Sequence, residues 1–396
     1  MSDPSVAVVG GGIGGATAML SLLRAGVDAH LYEQSTELRE VGAGIQLSPN
    51  ATRVLHELGF ATDLARVAVR SQAVNQRRWD DGRTLQRTPL ADAVEAEFGA
   101  PHYQIHRADL LAMLMSAIPA DRVHLGHRLT AIEQGADEVR AQFADGTRIV
   151  VDCLVGADGI HSNLRAELFG ADAPRFTGCV CYRGLIPAER VAHLDIPREV
   201  QVWMGPDKHV VHYYVQGGAL LNFVAVVEQD SWTGESWTDK GDIADALAAF
   251  DGWHPQVCSI LGAVDETFIW ALFDRHPLPQ WSQGRCTLLG DACHPMLPFV
   301  AQGAAQAIED GATLAAILRD IQRDGVPSAL KQYEHLRLPR TAQVQGQAMG
   351  NKTRFHLADG PDQIARDLKM AQDEAGFSAR AMAWLYAHDA TRPDRT

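Results

Sequence analysis

The sequence predicts an α/β fold in which a helix-covered parallel sheet is interrupted by a mostly antiparallel sheet and followed by C-terminal helices. Three observations predict it. A glycine-rich strand-to-helix turn stands near the N-terminus, and buried strands ending in glycine and an acid recur at 153–159 and 286–291. From 177 to 273 the pattern changes to long alternating stretches, which are typical of antiparallel strands with one solvated face. We therefore expect the chain to leave the first sheet and complete it later.

The glycine-rich turn has the spacing of a nucleotide-binding fingerprint. Residues 5–9 form an unbroken apolar run, which predicts a buried strand, and Gly10, Gly12 and Gly15 follow as G-x-G-x-x-G. In a Rossmann-like turn the first glycine permits the bend, the second admits a pyrophosphate close to the backbone, and the third lets the helix pack on the strand. The predicted helix includes Ile13, and its N-terminus is the expected phosphate site.

A second strand completes this unit. The helix is expected to end at Gly26, and a strand over 28–32 then delivers Glu33. An acid about 20 residues beyond the fingerprint is expected to bind the two hydroxyls of an adenosine ribose. The alternative is a glycine-rich turn that binds nothing. The combination of strand, helix, second strand and terminal acid favours a dinucleotide-binding site over a turn that binds nothing.

Composition indicates an ordinary globular protein with an acidic balance. Of 396 residues 46% are hydrophobic and 21% are charged, and the formal net charge is -14. That charge disfavours nucleic acid and anionic membranes as partners, although a local site can still bind a small anion. Polar residues within 210–227 exclude a membrane span there, and the N-terminus has no signal-peptide pattern, so a cytoplasmic location is expected.

The cysteines indicate core packing rather than metal binding. They are dispersed at 153, 179, 181, 258, 286 and 293, mostly in apolar, strand-like contexts. Cys179-x-Cys181 and Cys293-His294 both lack a second ligand pair at metal-site spacing, so no metal is expected.

Two arginines stand at positions suited to a nucleotide contact. Arg39 falls in the glycine-interrupted loop 38–50, and Arg107 falls at the predicted start of a helix that runs to about 118. Each is either a phosphate or ribose contact or an ordinary solvated charge. On spacing alone both alternatives stay open.

The remaining elements divide the chain into three expected regions. An Asp-Asp-Gly turn at 80–82 predicts a hairpin over 73–88, and 123–151 is expected to form a strand meander. A helix is expected at 302–318, with mainly helical chain from 327. The expected boundaries are 1–72, 99–175 and 275–326 for a dinucleotide-binding domain, 73–98 and 176–274 for a substrate-binding domain, and 327–396 for a C-terminal helical segment.

Three motifs in a fixed order resemble those of a known family. They are Gly10-x-Gly12-x-x-Gly15 with Glu33, Gly156-Ala157-Asp158-Gly159, and Gly290-Asp291-Ala292-Cys293-His294-Pro295. Their set and order resemble the single-component flavoprotein aromatic hydroxylases of the para-hydroxybenzoate hydroxylase type, over nearly the whole chain. The resemblance implies a GR2-type, Rossmann-like domain with tightly but non-covalently bound FAD. NADH or NADPH would visit transiently, since only one complete fingerprint is present, and O2 would be consumed.

The resemblance implies roles for residues outside the fingerprint. In that family the middle motif serves both FAD and NAD(P)H, which implies Asp158, and the acid of the last motif holds the flavin's ribityl chain or ribose, which implies Asp291. The segment 295–303 would lie beside the flavin ring, and the following helix would point its positive end at the reduced flavin's N1 and C2 carbonyl. The implied cofactor set is Gly10, Gly12, Ile13, Gly15, Glu33, Arg39, Arg107, Asp158, Asp291, Gly303 and Ala304.

Within the family the chain looks most like salicylate, 3-hydroxybenzoate 6- and 6-hydroxynicotinate 3-monooxygenases. The resemblance places active-site residues of the latter two at His209 and Tyr213, which share one strand face with residue 211. The alternative is that His209 caps a strand and Tyr213 belongs to the core.

The expected substrate pocket contains Gln46, His209, Tyr213, Pro298 and Phe299. Gln46 and Phe299 stand where the hydroxynicotinate enzymes have histidines, and Pro298 stands where the 3-hydroxybenzoate enzyme has glutamine. The expected substrate is a small hydroxylated aromatic or N-heteroaromatic carboxylate of the 6-hydroxynicotinate, salicylate or hydroxybenzoate type.

The implied reaction is ring hydroxylation through a C4a-hydroperoxyflavin. Ionisation of a ring hydroxyl makes the attacked carbon nucleophilic, and the ordinary histidine pKa of about 6.5 suits His209 as the base. Tyr213 and Gln46 would orient the ring. The alternatives are an FAD-dependent oxidase or dehydrogenase and a non-catalytic flavin-binding redox protein. A monomer or homodimer is expected.

Overall fold

The protein is described by a computed structural model covering residues 3–37, 42–232, 240–372 and 380–393. Its strands are β1 (Ser5–Val9), β2 (Asp28–Glu33), β3 (Gly44–Leu47), β4 (Ala73–Arg78), β5 (Thr84–Pro89), β6 (Tyr103–His106), β7 (Val123–Leu125), β8 (Leu129–Gln134), β9 (Val139–Phe143), β10 (Arg148–Val151), β11 (Cys153–Gly156), β12 (Arg175–Pro187), β13 (Val200–Gly205), β14 (Lys208–Val215), β15 (Leu220–Glu228), β16 (Lys240–Gly241), β17 (Thr267–Asp274), β18 (Ser282–Gln283) and β19 (Cys286–Leu288). Its α-helices are α1 (Ile13–Arg24), α2 (Pro49–Glu57), α3 (Ala61–Val67), α4 (Ala91–Phe98), α5 (Arg107–Ser116), α6 (Asn163–Phe169), α7 (Ile243–Ala249), α8 (Pro255–Gly262), α9 (Gly303–Leu318), α10 (Val326–Phe355), α11 (Pro361–Ala371) and α12 (Ala383–Tyr386). None of these described helices is long and apolar enough to cross a membrane.

The first sheet has the strand order β18-β19-β11-β1-β2-β7. Its strands pair in parallel except β18, which pairs antiparallel with β19. In the centre Val8 pairs with Leu31 on one side and Val155 on the other, and all three are buried. The carboxyl ends of parallel strands meet at one edge of a sheet. The three motifs follow β1, β11 and β19, so the fold brings them together at that edge.

Close packing explains two of the fingerprint glycines. Gly10 has a φ of +112°, in the left-handed region that favours glycine, and a Cβ there would clash with the carbonyl of Ala157. A Cβ on Gly15 would clash with the carbonyl oxygen of Gly10, so the third glycine lets α1 lie against β1. Helix α1 also packs on α9, where a Cβ on Gly311 would lie 2.7 Å from the backbone nitrogen of Ala18. The bending and packing roles expected for these glycines match the geometry.

The region 123–151 forms parts of two sheets instead of the single meander expected from the sequence. Strand β7 pairs in parallel with β2, and only β8, β9 and β10 form a separate antiparallel sheet. Helix α5 precedes β7 and carries the chain back, which allows β7 to add to the first sheet in parallel. Ile105 and His106 belong to β6, and α5 follows directly from Arg107, the predicted start of this helix.

The large sheet has the order β16-β17-β12-β15-β14-β13-β4-β5. Neighbouring strands pair antiparallel, except that β4 and β13 pair with each other in parallel. The hairpin expected around 80–82 is formed by β4 and β5. Helices α7 and α8, which the sequence pattern did not indicate, cover one face with Phe250 and Val257 packed near Trp203. They have only 7 and 8 residues, so they add no long helical period to a strand-rich stretch. The predicted fold class is confirmed.

Helix α10 packs on α9 through a buried group of charges. Arg337 donates a hydrogen bond to Asp310 over 2.7 Å, and Arg340 donates to Glu309 over 2.7 Å. Burial alone would raise the pKa of Glu309, but the two guanidinium groups outweigh it and lower the pKa to about 2. A buried charge that loses its partner is costly, so this cluster fixes α10 against the rest of the protein.

Candidate active site

A cavity of about 450 Å³ lies between the carboxyl edge of the parallel sheet and one face of the eight-stranded sheet. One side, here called the glycine wall, is formed around Gly12, Ala157, Asp291 and Gly303. The opposite side, the sheet wall, is formed by β4, β13, β14 and β15. Its residues are Val74, Gln76, Val200, Val202, His209, Val211, Tyr213 and Val224. The sequence motifs and the expected substrate residues therefore share one cavity.

Two helices begin at the glycine wall without a capping side chain. Helix α1 starts after Gly12 and α9 starts at Gly303, and neither N-terminus has a side-chain cap. A Cβ added to either glycine would meet no atom within 4 Å, so the backbone is open there. Uncapped amides and the helix dipole attract negative charge. The wall can hold two anionic or electron-rich groups, one at each helix.

A second cavity, of about 180 Å³, shares Gly12 and Ala157 with the first and contains Glu33. The Glu33 carboxylate accepts hydrogen bonds from the backbone nitrogens of Gly11 at 2.6 Å and Ser35 at 2.8 Å. These bonds fix the carboxylate, and each oxygen keeps a lone pair for a further donor. A pair of vicinal hydroxyls, as on a ribose, matches a carboxylate held in this way.

The acids of the two later motifs have different surroundings. Asp158 lines the second cavity, but it also accepts a hydrogen bond from the backbone nitrogen of Asn163 at 2.8 Å and so stabilises the start of α6. Asp291 lines the first cavity, and its exposed surface faces that cavity. Although this surface is open to the cavity, the protein that encloses the cavity desolvates the carboxyl and raises the pKa of Asp291, while the nearby His294 and Arg107 act in the opposite direction. Asp291 is therefore the acid presented mainly to a ligand.

Of the other residues expected to contact a cofactor, three line the first cavity and one lies outside the described residues. Ile13, Arg107 and Ala304 line the first cavity, and Arg107 occupies the first position of α5. A cavity-lining position near an acid distinguishes Arg107 from an ordinary solvated arginine. Arg39 lies outside the described residues.

Alternation along β14 puts two histidines on opposite faces of the large sheet. His209, Val211 and Tyr213 all line the cavity, as the two-residue period predicts. His212 faces the other side, where its Nε2 accepts a hydrogen bond from Trp203 Nε1 at 3.0 Å. One short run of sequence thus supplies both a cavity-facing set and a core-facing set.

His209 is enclosed by aromatic rings. Its Nδ1 lies 2.7 Å from Nε2 of His356, and the rings of Phe299 and Phe355 meet it at steep angles, with centroids 4.8 and 5.3 Å away. Only 1% of the residue is exposed. Burial lowers the pKa of His209 well below its ordinary value, and His356 lowers it further. The pKa of His209 therefore lies below the ordinary histidine value, which favours the neutral ring, the form that can accept a proton.

Strand β3 lies against the sheet wall beside Tyr213. A Cβ on Gly44 would lie 2.7 Å from the Tyr213 ring, so glycine allows this close approach. Gln46 follows two residues later and lines the same cavity, as do Pro298 and Phe299. Burial raises the pKa of Tyr213, so its hydroxyl stays protonated and can donate a hydrogen bond. All five expected substrate residues thus line one cavity.

Comparison with known proteins identifies the family. The family described as FAD binding domain matches residues 3–348. The chain belongs to this family. Its two cavities suit FAD, because the open starts of α1 and α9 can hold electron-rich groups while Glu33 and Asp291 can accept from hydroxyls.

Three similar proteins agree with this flavoprotein assignment. A 3-amino-4-hydroxybenzoate 2-monooxygenase of Streptomyces platensis is 44% identical over 98% of this chain and 96% of the relative. A 6-hydroxynicotinate 3-monooxygenase of Bordetella bronchiseptica is 37% identical over 91% of this chain and 94% of the relative. The structure of a salicylate hydroxylase substrate complex has 28% identity and a TM-score of 0.85 over 100% of this chain and 98% of that one. The flavoprotein is an FAD-dependent aromatic monooxygenase.

Several residues that line the flavoprotein's cavity were missed in the sequence. Gln76 lies on the sheet wall, and its side-chain carbonyl is buried without a hydrogen-bond partner among the described residues. Its position two residues after Val74 on β4 is the period-two signal that could have identified it. Phe355, Met382 and Tyr386 reach the cavity from the C-terminal helical region, where no motif marks them.

Two clusters of described residues in the flavoprotein have the ligand types of a metal site. They are Cys179, Glu228 and His356, and Cys293, His294 and Asp310. In each cluster the acid already has a cationic neighbour, since Lys352 Nζ lies 3.9 Å from Glu228 and Arg337 donates to Asp310 over 2.7 Å. These protein cations occupy the place of a metal charge, so neither cluster is assigned as a metal centre.

Proposed function

We propose that this flavoprotein hydroxylates a small aromatic or N-heteroaromatic carboxylate that carries a ring hydroxyl, using electrons from NADH or NADPH. The candidate substrates are of the 6-hydroxynicotinate, salicylate, hydroxybenzoate and aminohydroxybenzoate types. In this proposal residues 1–72, 99–175 and 275–326 bind FAD, residues 73–98 and 176–274 bind the substrate, and 327–396 close the cavity from the C-terminal side.

The single observation that carries the proposal is the state of His209. It faces the cavity, it is neutral, and its Nδ1 is occupied by His356, so Nε2 is the ring nitrogen left for a ligand. A neutral imidazole nitrogen accepts a hydrogen bond from a ring hydroxyl and favours its ionisation. An ionised hydroxyl increases the electron density of the ring carbon that is to be hydroxylated.

The other cavity residues position the ring and exclude water. Tyr213 donates to a substituent of the ring, Gln46 offers both a donor and an acceptor, and Phe299 covers His209. Asp291, Gly303 and the fingerprint glycines retain the flavin on the opposite wall. Bound FAD supplies an acceptor for the electrons of NAD(P)H and the C4a position at which O2 is activated.

Gln76 favours a substrate with an additional hydrogen-bond donor. Its carbonyl has no partner among the described residues, and rotation of the side-chain amide toward the cavity would let this carbonyl accept from a ring amino or hydroxyl group. An aminohydroxybenzoate carries such a donor, and the 44% identical relative is named for one. This class therefore comes first among the candidates.

The proposal is tested by measuring NAD(P)H oxidation by the purified, FAD-loaded protein. The substrates are 3-amino-4-hydroxybenzoate, 6-hydroxynicotinate, salicylate and 3-hydroxybenzoate, with benzoate and nicotinate as matched controls that lack the hydroxyl. We expect a product that carries one atom of isotopically labelled dioxygen from at least one hydroxylated compound and from neither control. Hydrogen peroxide as the sole product with every compound would contradict the proposal and favour the oxidase alternative.

A further inference from the structure

A chain of three ionisable side chains runs from the cavity to the protein surface. His209 Nδ1 lies 2.7 Å from His356 Nε2, and His356 Nδ1 lies 2.7 Å from a carboxylate oxygen of Glu228. His209 and His356 are both buried, whereas the Glu228 side chain is 34% exposed. The chain therefore connects the substrate side of the sheet wall with solvent through two short contacts.

Glu228 determines which nitrogen carries the proton on both rings. An ionised carboxylate only accepts, so His356 must donate from Nδ1 and, as a neutral ring, must accept at Nε2. His209 Nδ1 must then be the donor of the next contact, which leaves Nε2 of neutral His209 without a hydrogen. The surface carboxylate thus makes the cavity-facing nitrogen of His209 an acceptor.

We propose that His209, His356 and Glu228 form a proton pathway that carries the proton of the substrate's ring hydroxyl from the cavity to solvent. This inference rests on the proposed function, because it takes a ring hydroxyl as the proton donor. His209 contacts the substrate, while His356 and Glu228 act through it. His356 and Glu228 are therefore positioning and proton-transfer residues for the hydroxylation.

The proton transfer balances at every atom. The ring O–H bond breaks and its proton binds His209 Nε2, while the proton on His209 Nδ1 moves to His356 Nε2. The proton on His356 Nδ1 then moves to Glu228, which releases it to water. Both histidines end neutral with their protons on Nε2, and transfer in the reverse direction, when the product oxygen regains a proton, restores the first state.

The charged groups around His209 and His356 favour passing a proton along the chain over retaining it on either ring. Burial lowers the pKa of both histidines, and Glu228 partly opposes this at His356, so neither ring holds an additional proton. The other groups facing His356 are Lys352, Asp207 and Cys179. Lys352 Nζ lies 3.9 Å from Glu228 and disfavours a lasting positive charge on His356. Burial raises the pKa of Cys179 to about 11, so this thiol does not compete for the proton.

Backbone contacts hold the chain in register. The carbonyl oxygen of His356, just past the end of α10, accepts from the nitrogen of Asp207 at 3.1 Å. The carbonyl oxygen of Asp207 accepts from the nitrogen of Glu228 at 2.9 Å. The turn between β13 and β14 therefore links the ends of α10 and β15, which fixes the two outer groups relative to each other.

The test compares Glu228→Gln and His356→Gln with the wild type, and uses Glu266→Gln as a matched control at an exposed acid. Nitrogen NMR of the FAD-loaded proteins, labelled at histidine, reports the protonated nitrogen of each ring without any substrate. We expect Nε2 of His209 to be unprotonated in the wild type and in Glu266→Gln. An amide can donate as well as accept, so in Glu228→Gln we expect a substantial fraction of His209 to be protonated at Nε2.

Turnover is measured with 3-amino-4-hydroxybenzoate and the other compounds of the screen, in light and heavy water across pH. Loss of a carboxylate that orients a histidine costs roughly 10- to 100-fold in metal sites, and we expect a similar fall in hydroxylation for Glu228→Gln and His356→Gln. Because the lost step is a proton transfer, the solvent isotope effect and the pH profile should change as well. Flavin content should stay at the wild-type level.

The outcomes separate the pathway from the proposed function. If the wild type hydroxylates a compound and both variants match it in rate, isotope effect and pH profile, the pathway is overturned and the proposed function stays in place. A wild-type His209 protonated at Nε2 would also overturn it, even if no compound in the screen is hydroxylated. Should His356→Gln fail to fold, Glu228→Gln still decides the matter, because its side chain is partly exposed and is not part of the core.

Discussion

The two walls of the cavity are built from different parts of the polypeptide. The glycine wall presents backbone, as the open N-termini at Gly12 and Gly303 show, with Asp291 as its main side chain. The sheet wall presents side chains from neighbouring strands, with His209 and Tyr213 standing among valines. Substitutions on the first wall should therefore change flavin retention, and substitutions on the second should change what happens to the substrate.

The largest expected difference between the walls comes from His209→Ala. General acid-base assistance is typically worth about 10²- to 10⁴-fold, so hydroxylation should fall by that factor while FAD content stays unchanged. Steady-state turnover and flavin absorbance measure the two effects separately. His276→Ala, at an exposed histidine, is the matched control. Unchanged turnover and pH dependence in His209→Ala would make this residue a structural part of the strand.

Glu309 tests whether one buried cluster supports both walls. Helix α9 begins at the glycine wall and α10 supplies Phe355 beside His209, and Glu309 joins the two helices. The pKa of Glu309 falls from its ordinary 4.5 to about 2. The stabilisation is therefore fully present above 4.5 and is lost as the pH falls through about 2. The shift corresponds to about 3 kcal/mol.

Urea unfolding measures this contribution from about pH 6 to about pH 3. We expect the stability difference between the wild type and Glu309→Gln to shrink as the pH falls below the ordinary glutamate pKa. Glu266→Gln, at an exposed acid, should show no such trend. A difference between wild type and Glu309→Gln that is independent of pH would assign the stabilisation to packing rather than to charge.

The next largest effect concerns the two acids of the later motifs. Asp291 faces the cavity, so Asp291→Ala should weaken FAD retention by roughly 1.5–3 kcal/mol through loss of a charge-assisted hydrogen bond. Asp158 also accepts a hydrogen bond from the backbone nitrogen of Asn163 at the start of α6, so Asp158→Ala should in addition lower the stability of the flavin-free protein by about 1 kcal/mol. FAD titration and thermal unfolding of the flavin-free proteins separate the two effects. Equal loss of flavin-free stability in both variants would contradict the distinction.

The fingerprint turn beside the glycine wall was predictable from the residues themselves, whereas Asp291 and Gly303 of that wall were placed only by the family resemblance. Gly10 and Gly15 stand where a Cβ would clash, and their spacing along the chain follows the turn itself. The sheet wall was predictable only through resemblance, since period-two alternation identifies a shared face but not which face meets a cavity. His212 illustrates the limit. It lies on the same strand as His209, but it faces the other side of the sheet, where it accepts a hydrogen bond from Trp203.

Contacts between segments far apart in the chain could not be predicted from the sequence pattern. His356 meets His209 across 147 positions, and its helix carries no motif that points to the cavity. The short helices α7 and α8 were missed because burial against Trp203, rather than a long helical period, stabilises them. The lowered pKa of His209 follows from the same long-range enclosure. Such features depend on which surfaces meet after folding, which local spacing does not encode.

The smallest predicted effect, on the sheet wall, has two parts with opposite signs. The carbonyl of Gln76 is buried without a partner among the described residues, and an unsatisfied acceptor destabilises the ligand-free protein. Gln76→Leu should therefore raise the thermal stability of the ligand-free protein. The same change removes an acceptor for a ring donor, so the kcat/KM for 3-amino-4-hydroxybenzoate should fall by about fivefold, equivalent to about 1 kcal/mol.

The kcat/KM for 4-hydroxybenzoate, which lacks the amino group, should change less. A loss of stability, or an equal loss of kcat/KM for both compounds, would show that Gln76 does not recognise the additional donor.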